Sequence, residues 1–244
     1  MSVLPDLSAP LRALAAEAGG CLLAVDASAT VGSVAAVTAT ALVERSLDAA
    51  SVPSDSLGGT LAEAIAAAGG SPAHLAGIVV GLGPGSLTGL RVALATVKGL
   101  AYGRRTPVYG VSSLALIAAG HGPGLVAPVL DARRGDVFCA LYEVGGDGVP
   151  RALIDDAARR PAELVALLAP HRGSPLRLVG FAPPRFVEIA ALSSSPPAPV
   201  PAPRAAAGLL LAAARIRAGE ADDLAAVAPR YLRVSEAERV LGAE

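Results

Sequence analysis

A glycine-rich stretch from Gly81 to Arg91 is the part of the sequence best suited to bind an anion. It reads GLGPGSLTGLR, with four glycines and one proline among its first nine residues. Glycine adopts backbone dihedrals that other residues avoid and lets the chain approach a ligand closely. Where such a turn opens a helix, its free N–H groups can bind a phosphate. A plain tight connection has the same composition, so the spacing alone leaves both interpretations open.

Asp26 is the second candidate, because it ends an apolar run and precedes the small-residue turn from Ala27 to Thr30. In an ATP-binding protein such a turn wraps the phosphates, and the aspartate holds magnesium through water. In the simpler interpretation Asp26 only stabilises the turn. Taken alone, these residues favour the simpler interpretation.

Other catalytic chemistries have no matching motif. The three histidines are isolated, and no spacing places two metal ligands on one helical face. Ser86 lies in GPGSLTG, which differs from the GxSxG of serine hydrolases, and the turn lacks the lysine of a P-loop. Cys21 and Cys139 are too few and too distant for a metal cluster or a disulfide framework. From these residues we expect no catalytic group and no metal site.

Composition narrows the class of protein. The 244 residues are 53% hydrophobic and 3% aromatic with a net charge of −1, which predicts an Ala, Leu and Val core and no basic field for nucleic acid. The longest apolar segment, 205–214, is far shorter than the roughly 20 residues that span a membrane. The N-terminus lacks the basic region of a signal peptide. We therefore expect a cytoplasmic protein without a membrane segment.

The elements that must position the candidate residues alternate between strands and helices. Apolar runs predict strands at 21–26, 31–38, 42–47, 76–80, 108–111, 125–130, 137–144 and 176–181. Helical periodicity predicts helices within 1–20 and at 57–68, 89–103, 113–119, 161–168 and 205–218. This order favours two related α/β halves.

The predicted helix at 89–103 is apolar on nearly every side. One side can lie on a sheet, but the other must also be covered. A neighbouring helix of the same chain and a second protein are both possible covers, and the pattern does not choose between them.

Four segments, 22–37, 79–114, 129–143 and 229–233, together resemble the TsaB (YeaZ) family of bacterial tRNA threonylcarbamoyladenosine biosynthesis proteins. The most specific part is GPGSLTGLR followed by GVSSL. The resemblance implies an α/β fold of the actin-like ATPase type (ASKHA, ribonuclease H-like) with two related domains. It implies an N-terminal extension (1–20), a first domain (21–113 with a helix at about 205–219), a smaller second domain (114–204) and a C-terminal tail (220–244).

In that fold three motifs surround ATP, and here each is only partly kept. The stretch from Asp26 to Gly32 resembles the first motif. The second candidate, 131–135, has two arginines where close backbone approach is needed, and the third, 179–182, has one glycine instead of two. The resemblance therefore implies a degenerate nucleotide site without a cofactor. The residues of this remnant are Asp26, Ser28, Gly83, Gly85 and Ser86.

The family's catalytic relative, TsaD, carries metal-binding histidines that are missing here, since GVSSL stands where TsaD has a histidine-bearing segment. The resemblance thus implies a non-catalytic subunit. It would bind TsaD as a heterodimer, act with the ATPase TsaE, and meet tRNA only through the complex that modifies the adenosine next to the anticodon of ANN-decoding tRNAs. Without TsaD, two copies can pair as a homodimer. The expected partner interface is Leu57, Leu61, Ile65, Leu90, Leu94, Val97 and Ala101.

Two other functions remain as alternatives. A free-standing actin-like ATPase or kinase is disfavoured by the degenerate motifs, and a protease has no nucleophile or metal set to support it. One departure from the family lies at 53–56, where this chain has PSDS in place of a histidine followed by serine or threonine.

Overall fold

The structure is a computed structural model that describes residues 6–48, 54–180, 186–192, 198 and 205–232. The strands are β1 (Cys21–Asp26), β2 (Val31–Val37), β3 (Leu42–Asp48), β4 (Leu75–Gly81), β5 (Val108–Val111), β6 (Gly124–Asp131), β7 (Val137–Val144), β8 (Pro150–Arg159) and β9 (Arg177–Val179). The helices are α1 (Ser8–Glu17), α2 (Ser54–Ala67), α3 (Leu87–Tyr102), α4 (Ser113–Ala119), α5 (Pro161–Leu168), α6 (Val187–Ala190) and α7 (Ala205–Ala218). Short 3-10 turns lie at Pro72–His74 and Ala169–His171.

The first sheet has the strand order β3-β2-β1-β4-β5. Strands β1, β4 and β5 are parallel, whereas β2 and β3 pair antiparallel beside β1. The carboxyl ends of the three parallel strands therefore meet at one edge of the sheet. This edge brings together Asp26, Gly81 and Val111, and it is where open α/β sheets place their ligands.

The second sheet repeats the pattern of the first. Its order is β8-β7-β6-β9, again with an antiparallel three-strand meander followed by a parallel strand. The predicted fold class, an α/β chain with two related halves, is confirmed. The boundaries drawn for the two domains stay a prediction.

Helices cover both faces of the first sheet. Helices α2 and α3 pack on one face in a shared core with β1 and β4, and α1 and α7 pack on the other. Leu11 and Leu14 of α1 are buried against α7 and the sheet. The first described helix is therefore packed onto the same sheet that carries Asp26.

The chain's own C-terminal segment, residues 219–232, covers one flank of α3. Its Leu224 and Val227 pack in the core that contains the inner face of α3. Lys98 donates a hydrogen bond to the carbonyl of Ala225 at 3.2 Å, and the Arg91 guanidinium donates to the Tyr231 hydroxyl at 3.1 Å. The apolar sides of α3 are thus covered by the sheet, by α2 and by this segment. Residues 233–244 of the predicted tail lie outside the described residues.

Candidate functional site

Asp26 is fully buried at the end of β1, where its carboxylate accepts three hydrogen bonds from the chain itself. The donors are the Ser28 amide at 3.2 Å, the Ser28 hydroxyl at 2.7 Å and the Ser113 hydroxyl at 2.5 Å. Burial raises the pKa of the carboxyl, and the serine hydrogen bonds partly oppose this shift. A carboxylate that is enclosed and bonded in this way links the turn after β1 to the start of α4 and has no face turned to solvent.

Ser113 joins Asp26 to the glycine-rich turn. Its hydroxyl accepts from the Gly83 amide at 3.0 Å, and its own amide donates to the Gly83 carbonyl at 2.9 Å. Ser113 is fully buried at the first residue of α4. Its place in the GVSSL motif is the only sign of this role in the sequence. We refer to Asp26, Ser28, Gly83 and Ser113 as the Asp26 cluster.

The glycine-rich turn packs directly on the turn that follows β1. The Ser86 amide donates to the Ser28 carbonyl at 2.6 Å. A Cβ atom added at Gly85 would lie 2.2 Å from the Ser28 oxygen, and one at Gly89 would lie 2.0 Å from the Ala27 oxygen. The glycines therefore permit backbone-to-backbone contact between the two turns. The five predicted remnant residues do come together, but their polar groups bind one another.

The segments predicted to correspond to the second and third ATP motifs lie at the ends of β6 and β9. In the β6–β7 hairpin, Asp131 accepts a hydrogen bond from the Arg133 amide at 2.7 Å. Arg133 and Arg134 have φ values of 67° and 54°, a left-handed conformation that favours glycine. Gly180 has a φ of 126°, and a Cβ there would lie 2.0 Å from the Val129 carbonyl oxygen. The rest of the third motif, 181–182, lies outside the described residues.

Histidines and cysteines form no recognisable reactive centre in the described part of the chain. No group of three or more His, Cys, Asp or Glu residues is placed to hold a metal there. Burial raises the pKa of the Cys21 and Cys139 thiols, which disfavours their reactive thiolate forms. Burial and the nearby Arg177 lower the pKa of His121, which favours the neutral ring.

Among the described residues, no helix has the length and apolar character needed to cross a membrane.

The seven predicted interface residues all lie in the interior of the chain. Their side chains are 0–6% exposed: Leu57, Leu61, Ile65, Leu90, Leu94, Val97 and Ala101. All except Leu90 belong to the core between the first sheet, α2 and α3. The chain itself therefore covers these side chains. The interface role of these seven residues stays a prediction.

The chain is similar to several known proteins. Residues 48–241 match a family model described as TsaD: tRNA N6-adenosine threonylcarbamoyltransferase. A Bacillus subtilis protein named tRNA threonylcarbamoyladenosine biosynthesis protein TsaB is 45% identical over 75 residues, 30% of this chain and 33% of that protein. An uncharacterized Mycobacterium tuberculosis protein is 34% identical over 175 residues, 72% of each chain. A crystal structure named YeaZ from Pseudomonas aeruginosa has a TM-score of 0.70 at 25% identity and covers 87% of this chain and 100% of that one.

The chain belongs to the TsaB (YeaZ) family. The segments that match the curated TsaB proteins of Bacillus subtilis and Escherichia coli span only 33% and 38% of those proteins. A second Pseudomonas aeruginosa structure, with a TM-score of 0.72, is described as similar to peptidase YeaZ. In this chain none of the three histidine side chains, all within the described residues, has a hydrogen bond to a serine hydroxyl.

Proposed function

We propose that this chain is a non-catalytic subunit of the bacterial complex that forms threonylcarbamoyladenosine in tRNA, and that it binds and activates TsaD. In this role it acts in the cytoplasm with TsaE and meets tRNA through the complex. The family assignment supports the pathway, because the TsaB relatives are named as biosynthesis proteins of this modification. The Asp26 cluster supports the non-catalytic role.

The Asp26 cluster carries the proposal because it replaces the contacts that a nucleotide would need. A magnesium-bound phosphate requires a carboxylate that is open to water and backbone N–H groups that point into a free space. Here Asp26 is bonded to two serines, and the Ser86 amide is bonded to the Ser28 carbonyl. The motif thus supports the start of α3 instead of a phosphate.

The outward sides of α2 and α3 form the surface that we assign to TsaD. We call it the small-residue face, and its exposed members are the small residues Gly59, Ala62, Ala66, Thr88, Ala95 and Gly99 together with Glu63, Arg91 and Tyr102. Short side chains let a second helix approach closely, and Tyr102, which is 82% exposed, supplies an aromatic anchor. In the absence of TsaD the same face can meet a second copy of the chain.

The test compares two alanine-to-glutamate variants. Ala95→Glu places a charge on the small-residue face, whereas Ala214→Glu places one on the exposed side of α7, across the first sheet. We expect the purified chain to have no transferase activity alone, to stimulate TsaD when added, and to lose both binding and stimulation in Ala95→Glu only.

Titration calorimetry with ATP and magnesium separates the alternative. Micromolar binding with turnover by the chain alone would favour a free-standing ATPase and contradict the proposal. Equal TsaD binding by the two glutamate variants would instead show that the interface lies elsewhere. These outcomes distinguish the role of the chain from the location of its contact.

A further inference from the structure

A cavity of about 430 Å³ lies where the two sheets meet the C-terminal segment. Its walls come from the end of β5, the start of α4, β7, β8 and α7, together with Arg230 and Leu232. A volume of this size lies within the range of about 300–1,000 Å³ that is usual for small-molecule sites. The cavity is separate from the Asp26 cluster, because Ser112 lines it whereas the next residue, Ser113, bonds to Asp26.

The floor of the cavity is a closed polar network centred on Asp156. This side chain is 9% exposed, and it accepts hydrogen bonds from the Ser112 hydroxyl at 2.5 Å and from the Tyr142 hydroxyl. Burial and the Asp156 charge raise the pKa of Tyr142, so the phenol keeps its proton and remains a donor. Both oxygens of Asp156 are therefore engaged, and the floor is fixed in position.

Two charged groups of the wall remain available to a ligand. The Arg230 guanidinium is half exposed, and its one ionic contact among the described residues is a loose one, 4.0 Å from Asp156. The Asp155 carboxylate has neither a hydrogen bond nor an ion pair within the described part of the chain. A third charge, Arg215, is already paired with Asp222 at 2.7 Å. One cation and one anion thus line the same cavity without a close partner.

The remaining wall decides the class of ligand. Val111, Ala115, Leu211 and Leu232 provide apolar surface. A polyphosphate is disfavoured, because the carboxylates of Asp155 and Asp156 would repel it. A molecule that carries both a carboxylate and an ammonium group satisfies both open charges, and an arginine fork is well suited to a carboxylate.

We propose that this cavity binds a free α-amino acid with an apolar side chain. Its carboxylate pairs with Arg230, its ammonium group pairs with Asp155, and its side chain packs on the apolar wall. The proposal concerns a site apart from the small-residue face and does not depend on the role in tRNA modification.

The first experiment uses the unaltered chain and three matched probes in titration calorimetry or ligand-observed NMR. L-leucine carries both charges, N-acetyl-L-leucine lacks the ammonium group, and L-leucinamide lacks the carboxylate. We expect L-leucine to bind and each analogue to bind at least about tenfold more weakly, because each loses one charge-assisted contact. The proposal is overturned if L-leucine does not bind at about 10 mM, or if either analogue binds equally well.

The second experiment locates the site with charge-removing variants. Asp155→Asn should weaken the binding of L-leucine about tenfold but leave the binding of N-acetyl-L-leucine unchanged. Arg230→Gln should also weaken the binding of L-leucine about tenfold but leave the binding of L-leucinamide unchanged. The controls, Glu143→Gln and Arg172→Gln, remove exposed charges outside the cavity lining and should have no effect. Equal weakening by variants and controls would overturn the assignment, and if a variant fails to fold, the probe series on the unaltered chain decides.

Discussion

Replacing Asp26 with alanine distinguishes a structural role for this carboxylate from a magnesium-binding role. The variant removes the acceptor of three donors: the Ser28 amide, the Ser28 hydroxyl and the Ser113 hydroxyl. Each buried donor left without a partner costs about 1–3 kcal/mol, and the two hydroxyls can rotate to find others, so the lower figure applies to each. We expect the free energy of unfolding to fall by about 3 kcal/mol.

Urea denaturation followed by circular dichroism measures this loss, with Asp131→Ala as the matched control. Asp131 occupies the corresponding place in the predicted second ATP motif but is exposed and accepts the Arg133 amide, so its replacement should cost about 1 kcal/mol, the usual net value of a hydrogen bond. If Asp26 served mainly as a magnesium ligand, Asp26→Ala would instead change stability no more than the control does and would abolish ATP binding. That result for Asp26→Ala would refute a structural role for the Asp26 cluster.

Four further predictions concern α3 and the Asp26 carboxyl. Gly89→Ala should lower stability by about 1–3 kcal/mol, because its Cβ would lie 2.0 Å from the Ala27 oxygen. Gly99→Ala should raise stability by about 0.5–1 kcal/mol, since nothing lies within 4 Å of that Cβ and alanine favours the helix; denaturation of both variants checks the opposite signs. Gly99→Leu should keep the fold but weaken TsaD binding at least about tenfold in calorimetry, because it fills the small-residue face. Burial raises the pKa of Asp26 in the folded chain above its value in the unfolded chain. The contribution of this group to folding stability is therefore complete below the unfolded pKa and declines as the pH rises through the folded pKa. In urea titrations, the stability advantage of the natural chain over Asp26→Asn should shrink from acidic to neutral pH.

Sequence patterns predict most elements of this fold because glycines and serine caps mark their ends. The bounds predicted for β5 and β7 agree with the structure, and Ser112 caps α4 through its hydroxyl, which accepts from the Ala115 amide at 3.2 Å. Strand β8 is absent from the strands that the sequence patterns predict. Its core sequence, ALIDDAAR, is rich in alanine and aspartate, which are depleted in strands, so its conformation is imposed by antiparallel pairing with β7.

The candidate site shows a different limit of sequence reasoning. Leu94 and Val97 form an apolar stripe, and such a stripe looks the same whether it faces the protein core or a partner. The cover on one flank of α3 is an irregular segment more than 100 residues away in sequence, and no local pattern connects Lys98 with Ala225. The exposed positions of α2 and α3 are mostly small and carry little hydrophobic signal. Only the packing in the structure therefore distinguishes the buried stripe of α3 from the exposed small-residue face.

The Asp26 cluster and the small-residue face are mechanically linked through α3. Asp26 fixes Ser113, Ser113 fixes Gly83, and the glycine-rich turn then sets the position at which α3 begins. Since the face proposed for TsaD lies on the outer side of that helix, a change at the buried carboxylate should reach the partner. We expect Asp26→Ala, measured in calorimetry at a temperature where it is folded, to bind TsaD more weakly than Asp131→Ala. Equal affinity of the two variants for TsaD would show that the sheet, α2 and the C-terminal segment set the orientation of α3 and that the Asp26 cluster does not contribute.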